Sequence, residues 1–197
     1  MEHQKLFPTN VFIQDDFFGK PKVLQKLIEK EHNNKDIENW QSKPDLLKKP
    51  SYREFVESVL RANVDIVKRL NYEFDSLTIT DMWSNILKPG ETHRPHTHAN
   101  NFLSGVYYPY AENTSGIAFM DPRHQANVIK PSKLQNTMDN SDVMLYKSKT
   151  NRIIIFPSWL QHFVPINTSK DNRFSISWNV QLKGKVGSSE EYQSALF

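Results

Sequence analysis

The sequence contains no cysteine, which excludes disulfide bonds, thiolate catalysis and zinc sites built on cysteine. No segment approaches the roughly 18 consecutive apolar residues of a membrane-spanning helix. The N-terminal residues also lack the apolar core of a signal peptide. We therefore expect a cytoplasmic protein, in the source organism or in an infected host, with no membrane partner.

The sequence also has no strong excess of positive or negative charge. The 25 basic and 22 acidic residues are mixed along the chain and give a net charge of +3. No long basic block occurs, which argues against nucleic acid as the main partner. With 38% hydrophobic and 24% charged residues, the 197-residue chain is expected to fold as one globular domain over residues 1–197.

The hydrophobic period divides the chain into a helical part and a β part. Residues 5–14 predict a short strand, and the apolar spacing of Val23 to Ile28 predicts a helix. Residues 35–50 are expected to form a polar loop. A second helix is predicted over 51–70, with Ser51 as N-cap and Glu54 completing a capping box.

From residue 76 onward the apolar period is two, which is typical of strands. Seven strands are predicted, within residues 76–87, 102–110, 116–121, 142–147, 152–157, 161–166 and 173–182. The sequence thus predicts a mainly β protein with N-terminal helices: a helical part at 1–75, a sandwich or barrel at 76–182, and a surface tail at 183–197. The helices of residues 21–70 cover the β-core, or else shape a substrate mouth or a homodimer face.

Three of the seven histidines lie within six positions, in the segment HRPHTH that starts at His93. Neutral imidazole is the commonest protein ligand for transition metals. His96 and His98 would point to the same side of a strand, whereas His93 would join them only through a turn that Pro95 disfavours. His162 follows the tight turn at residues 157–159 and is the candidate third ligand. The competing interpretation is that these are ordinary core or turn histidines.

Eleven residues after His162, the strand NRFSISWNV places polar and apolar residues on opposite faces. Arg173, Ser175, Ser177 and Asn179 alternate with Phe174, Ile176, Trp178 and Val180. If the apolar face packs against the helices, Arg173 points into the barrel. A buried guanidinium needs an anionic partner, and its planar fork suits a carboxylate.

These segments together resemble the 2-oxoglutarate and iron(II)-dependent oxygenase superfamily, in a branch related to prolyl hydroxylases that is found in bacteria and marine phages. The resemblance rests on HTH with LSGVYYPY, then SGIAFMDPR, IIIFPSWLQHFVPI and RFSISWNV, and covers roughly residues 80–182. It implies a double-stranded β-helix (jelly-roll, cupin-like) core, Fe(II) as cofactor and 2-oxoglutarate as co-substrate. By this resemblance His96 and His162 bind iron, while Arg173, Ser175 and Tyr108 bind the far carboxylate of 2-oxoglutarate.

The sequence departs from the family pattern at position 98, where His98 replaces the usual carboxylate. The third iron ligand is therefore His98, or Asp121 from a neighbouring strand, or no protein residue. Arg123 and His124 line the substrate entrance or belong to a plain loop. Trp83, Trp159 and Phe163 wall the pocket or belong to the core.

The resemblance implies a hydroxylase acting on a peptidyl or small-molecule substrate, with succinate and carbon dioxide as co-products. One alternative is a three-histidine cupin-type dioxygenase that does not use 2-oxoglutarate. That motif, however, requires a glutamate shortly after the histidines, and residues 99–102 include no glutamate. The other alternative is a non-catalytic jelly-roll protein with a binding or structural role.

Overall fold

The computed structural model describes residues 1–33, 36–123, 125 and 128–197. Its two α-helices are α1 (Pro21–His32) and α2 (Arg53–Arg69). The strands are β1 (Phe12–Gln14), β2 (Trp40–Gln41), β3 (Ser76–Leu87), β4 (His93–His96), β5 (Leu103–Tyr110), β6 (Ile117–Met120), β7 (Val143–Tyr146), β8 (Arg152–Pro157), β9 (His162–Val164), β10 (Arg173–Lys183), β11 (Lys185–Val186) and β12 (Ala195–Leu196). Within these residues, no helix has both the length and the apolar character needed to cross a bilayer.

Both predicted helices are present, and only the second, predicted over 51–70, has different bounds. Pro21 stands at the start of α1, where a missing N–H costs nothing, and Asn33 closes the helix in the left-handed conformation. The capping box predicted at Ser51 and Glu54 is wrong. Ser51 lies in a short 3-10 turn, and α2 starts at Arg53 without a side-chain cap. The N-cap position is held by Tyr52, so Ser51 lies one residue too early to cap the first free amides of α2.

Two sheets carry the β part of the fold. The larger has the strand order β1-β8-β5-β10-β3-β2, and the smaller has the order β4-β9-β6-β7. All strand pairs in them are antiparallel. The sheets face each other as a double-stranded β-helix, and the mainly β fold class is confirmed. The tail forms a small β11–β12 hairpin of its own.

The alternation along the strands of the larger sheet separates two cores. Phe174, Ile176 and Trp178 of β10 pack outward into a cluster with α1 and α2. Residues of the opposite face, among them Val106 and Phe156, form the inner cluster between the sheets. Burial of each such aliphatic or aromatic side chain contributes roughly 1.5–3 kcal/mol to the free energy of folding. The helices thus cover one face of the larger sheet, and the other face lines the interior of the jelly roll, as the period-two pattern predicted.

Two strand predictions need correction. The N-terminal strand covers Phe12–Gln14 alone, since residues 5–11 have no partner strand. The loop predicted at 35–50 contains β2, whose Trp40 and Gln41 pair with Ile86 and Asn85 of β3. Two residues are too few to show a period, and their pairing is set by a long-range contact.

Candidate metal and oxoglutarate site

Three histidine side chains converge at one end of the jelly roll. His96, His98 and His162 each offer a ring nitrogen, and these nitrogens lie within 4.8 Å of one another. The ring centroids of His96 and His162 are 4.3 Å apart, because these residues are paired across β4 and β9. The predicted tight turn is present, with the Leu160 N–H donating to the Pro157 carbonyl just before His162.

The backbone orients two of these rings. The Nδ1 atom of His96 lies 2.7 Å from the Arg94 carbonyl, and that of His162 lies 2.9 Å from the Leu160 carbonyl. A carbonyl oxygen only accepts, so each Nδ1 carries the proton and donates it. Each Nε2 therefore keeps its lone pair, as in histidines prepared for metal binding.

Burial keeps part of this cluster uncharged. Loss of solvation lowers the pKa of His162 to about 3, and the pKa values of His93 and His98 to about 4. Nearby imidazoles contribute to each decrease, and Arg173 adds to the decrease at His93. Neutral imidazole is the metal-binding form, so these rings need not lose a proton before they bind an ion.

The chain path through the cluster differs from the sequence prediction. β4 ends at His96, and the N–H of His98 leaves the sheet to donate to the Ser158 carbonyl. His98 still joins the cluster, but from the segment that follows the strand. The strand register shifts between His93 and His96, so both residues line the same cavity without the turn that seemed necessary. The spacing argument missed His93, because it assumed a regular strand.

Arg173 lies in the same cavity and is only 2% exposed. Its Nε donates to the Ser115 carbonyl at 2.9 Å, Nη1 donates to the Ser175 hydroxyl at 3.0 Å, and Nη2 donates to the Tyr108 hydroxyl at 3.2 Å. The guanidinium carbon also stands 4.8 Å from the centre of the Tyr108 ring. Among the described residues, no carboxylate forms an ion pair with it, so the buried cation is held by neutral groups alone.

The histidines and Arg173 share one cavity of about 420 Å³. Its wall includes polar groups of β2 and β3 that the sequence prediction did not identify. Gln41 donates to the Asn85 side chain at 2.9 Å, and Asn85 is 3.3 Å from the Ser177 hydroxyl. Trp83, Asn85 and Leu87 are two residues apart along β3 and so share one face of the strand. This spacing was the signal that could have placed Asn85 inside the jelly roll.

The predicted aromatic wall is only partly present. Trp83 lines the cavity, with its ring centroid 5.9 Å from that of His98. Trp159 does not line it and is 57% exposed, because it lies in the turn between β8 and β9. Phe163 is absent from the wall because it follows His162 directly, and neighbouring strand residues point to opposite faces.

Asp121 lies apart from the histidine cluster. Its carboxylate is 2.8 Å from the Arg123 guanidinium, and it lines a second cavity together with the N-terminal segment. His124, the other candidate near this loop, lies outside the described residues.

Fold and cavity together define a jelly-roll protein with a cluster of three histidines and a buried arginine. Residues 81–179 match the family described as "Putative 2OG-Fe(II) oxygenase", and the chain belongs to that family. It is an oxidoreductase that uses Fe(II) and 2-oxoglutarate. Family membership decides against the cupin-type and non-catalytic alternatives. No curated protein matches the sequence.

Solved structures of low sequence identity share the fold. A Pseudomonas putida prolyl-4-hydroxylase is 11% identical with a TM-score of 0.59, covering 88% of this chain and 92% of its own. A viral collagen prolyl hydroxylase from Paramecium Bursaria Chlorella virus-1, in complex with 2OG, is 14% identical with a TM-score of 0.57, covering 86% and 94%. HygX from Streptomyces hygroscopicus, with nickel and 2-oxoglutarate bound, is 10% identical with a TM-score of 0.62, covering 88% and 83%.

Proposed function

We propose that His96, His98 and His162 hold the iron and that the enzyme hydroxylates an unactivated C–H bond of its substrate. One observation carries this proposal. The three imidazoles line one cavity with the buried guanidinium of Arg173, which has no carboxylate partner among the described residues. With two Nε2 atoms directed away from backbone carbonyls, the donor set suits a divalent transition metal.

The placement of Asp121 supports His98 as the third ligand. The Asp121 carboxylate faces another cavity and pairs with Arg123, whereas the ring of His98 is within 5.1 Å of both other rings, centroid to centroid. A ligand exchange would require Asp121 to leave its arginine.

Arg173, with Ser175 and Tyr108 beside it, would receive the far carboxylate of 2-oxoglutarate. A guanidinium that is desolvated and lacks a counter-charge gains most from an anion that supplies one. The buried His93 Nε2 has no hydrogen-bond partner among the described residues and belongs to the same cavity wall. It is therefore available as a further donor to that co-substrate.

Bound iron and 2-oxoglutarate would supply the oxidising chemistry, in which one atom of O2 enters succinate and the other enters the substrate. The protein's part is to orient the reactants and to exclude water from the buried end of the cavity. Two of the fold neighbours are prolyl hydroxylases, which keeps a peptidyl substrate among the candidates beside a small molecule.

The His162→Ala variant tests the ligand assignment. Iron content after anaerobic loading and 2-oxoglutarate-dependent succinate formation should both fall to background, because His162 is the most deeply buried ligand. His3→Ala, at an exposed histidine outside this cavity, should retain both. Undiminished iron binding in His162→Ala would remove this residue from the site.

A further inference from the structure

The charge of the cavity wall is entirely positive. Among the described lining residues there are two arginines, Arg94 and Arg173, and there is neither aspartate nor glutamate. Glu91 precedes strand β4, but its two carboxylate oxygens accept from the backbone N–H groups of Asn39 and Lys88. An anion entering the cavity therefore meets no like charge on its described wall.

Loading the proposed iron and oxoglutarate would not neutralise this wall. The double positive charge of iron(II) and the double negative charge of 2-oxoglutarate cancel each other. Three neutral histidine ligands add no negative charge, so with Arg173 the loaded site as a whole keeps one net positive charge. A carboxylate at position 98 would have cancelled it. The replacement by His98 thus leaves the loaded site one unit more positive.

Arg94 adds a second cation at the open side of this site. Its carbonyl holds the His96 ring at 2.7 Å, which fixes the Arg94 backbone beside the metal cluster. Arg94 is one of the residues that line the cavity and is exposed, and its side chain makes neither a hydrogen bond nor an ion pair with any described residue. Lys88, by contrast, is paired with Asp36 at 2.6 Å. Arg94 is thus a cation that remains available for a ligand.

We propose that the substrate is a small organic anion and that Arg94 binds its carboxylate or phosphate group at the cavity mouth. This inference rests on the proposed function, because it places the substrate beside a loaded iron and oxoglutarate site. The volume of about 420 Å³ must hold oxoglutarate as well, which favours a small substrate. A guanidinium recognises both oxyanions through paired N–H donors.

Anaerobic calorimetry of protein loaded with Fe(II) and 2-oxoglutarate tests this specificity. The probes are N-acetyl-L-amino acids against their carboxamides, and phosphoserine against serine, so that each anion has a matched neutral partner. At least one anion should bind about tenfold or more tightly than its partner, and the Arg94→Gln variant should lose that preference. Arg61→Gln, at an exposed arginine of α2, should keep it.

Two outcomes would overturn the inference: no anion preferred over its neutral partner anywhere in the panel, or a preference that survives in Arg94→Gln. Comparing the N-acetyl-amino acids with phosphoserine shows whether the group that Arg94 binds is a carboxylate or a phosphate. Binding of 2-oxoglutarate is measured before any probe is added, so that its absence would count against the proposed function and not against Arg94.

Discussion

At the scale of single residues, Arg173 is the side chain whose environment most needs a ligand. Its charge is buried against a carbonyl, two hydroxyls and an aromatic ring, all of them neutral. Burying an unpaired charge is costly, and the arrangement becomes favourable once an anion arrives.

The Arg173→Gln variant should therefore bind 2-oxoglutarate roughly 30-fold or more weakly, since a buried charge-assisted contact is worth about 2–5 kcal/mol. Iron binding should be retained, because no proposed iron ligand is altered. Calorimetric titration with 2-oxoglutarate measures the change, with Arg61→Gln as the control. Unchanged affinity would show that the far carboxylate binds elsewhere.

The buried histidines predict a pH dependence of the metal-free protein. Burial lowers the pKa of His162 to about 3 and that of His93 to about 4, below the ordinary value of 6.5. Between pH 6.5 and about 4 the unfolded chain binds protons that the folded chain does not. The free energy of unfolding should have its full value above pH 6.5 and should decrease as the pH falls through this range.

Urea unfolding in the presence of a chelator, at pH 7 and pH 5, measures that loss. In His162→Gln the difference between the two pH values should be smaller, because one of the groups that titrates only on unfolding is gone. An equal difference in both proteins would contradict the assignment of His162 as a buried neutral histidine.

At the scale of elements, strand alternation explains most of what could be predicted. The bounds of β3 and β8 agree with the sequence prediction, since the alternating pattern of β3 and the short apolar run of β8 both end at turn-forming residues. The double role of β10, apolar toward the helices and polar toward the cavity, was predictable for the same reason. The strand β2 and the irregular pairing of His93 were not, because long-range contacts determine them.

The pairing of β5 with β10 depends on a missing side chain. Gly105 stands opposite Trp178, and a Cβ on Gly105 would overlap the indole ring. Gly105→Ala should destabilise the protein by about 1–3 kcal/mol, because the buried indole must move. Urea unfolding checks this, with Gly19→Ala as the control, since nothing lies within 4 Å of a Cβ there. Equal stability of the two variants would show that the indole adapts freely.

At the scale of the whole molecule, the site draws on both sheets. His96 and His162 come from the smaller sheet, whereas Arg173 and Ser175 come from the larger one. Sequence spacing suggested the histidine half and the arginine half of this site separately. The two halves meet because the two sheets face each other, and a local sequence pattern does not predict that arrangement.

A ligand that touches both sheets should stabilise the whole fold. At a concentration of 100 times its dissociation constant, 2-oxoglutarate should add about 2.7 kcal/mol to the stability of the iron-loaded protein. At the same concentration, 2-oxobutyrate, which chelates iron but lacks the far carboxylate, should add much less. Anaerobic thermal unfolding compares the two ligands, and equal shifts would argue against a contact with Arg173.

The most direct test of the iron and oxoglutarate site is an anaerobic titration with Fe(II) and 2-oxoglutarate, followed by the weak visible absorption band of oxoglutarate chelated to protein-bound iron. The wild-type protein should develop the band at one equivalent of each. His162→Ala should fail to develop it, and Arg173→Gln should need far more 2-oxoglutarate. A wild-type protein that binds iron without developing the band, or a band that persists in His162→Ala, would contradict the site described for this protein.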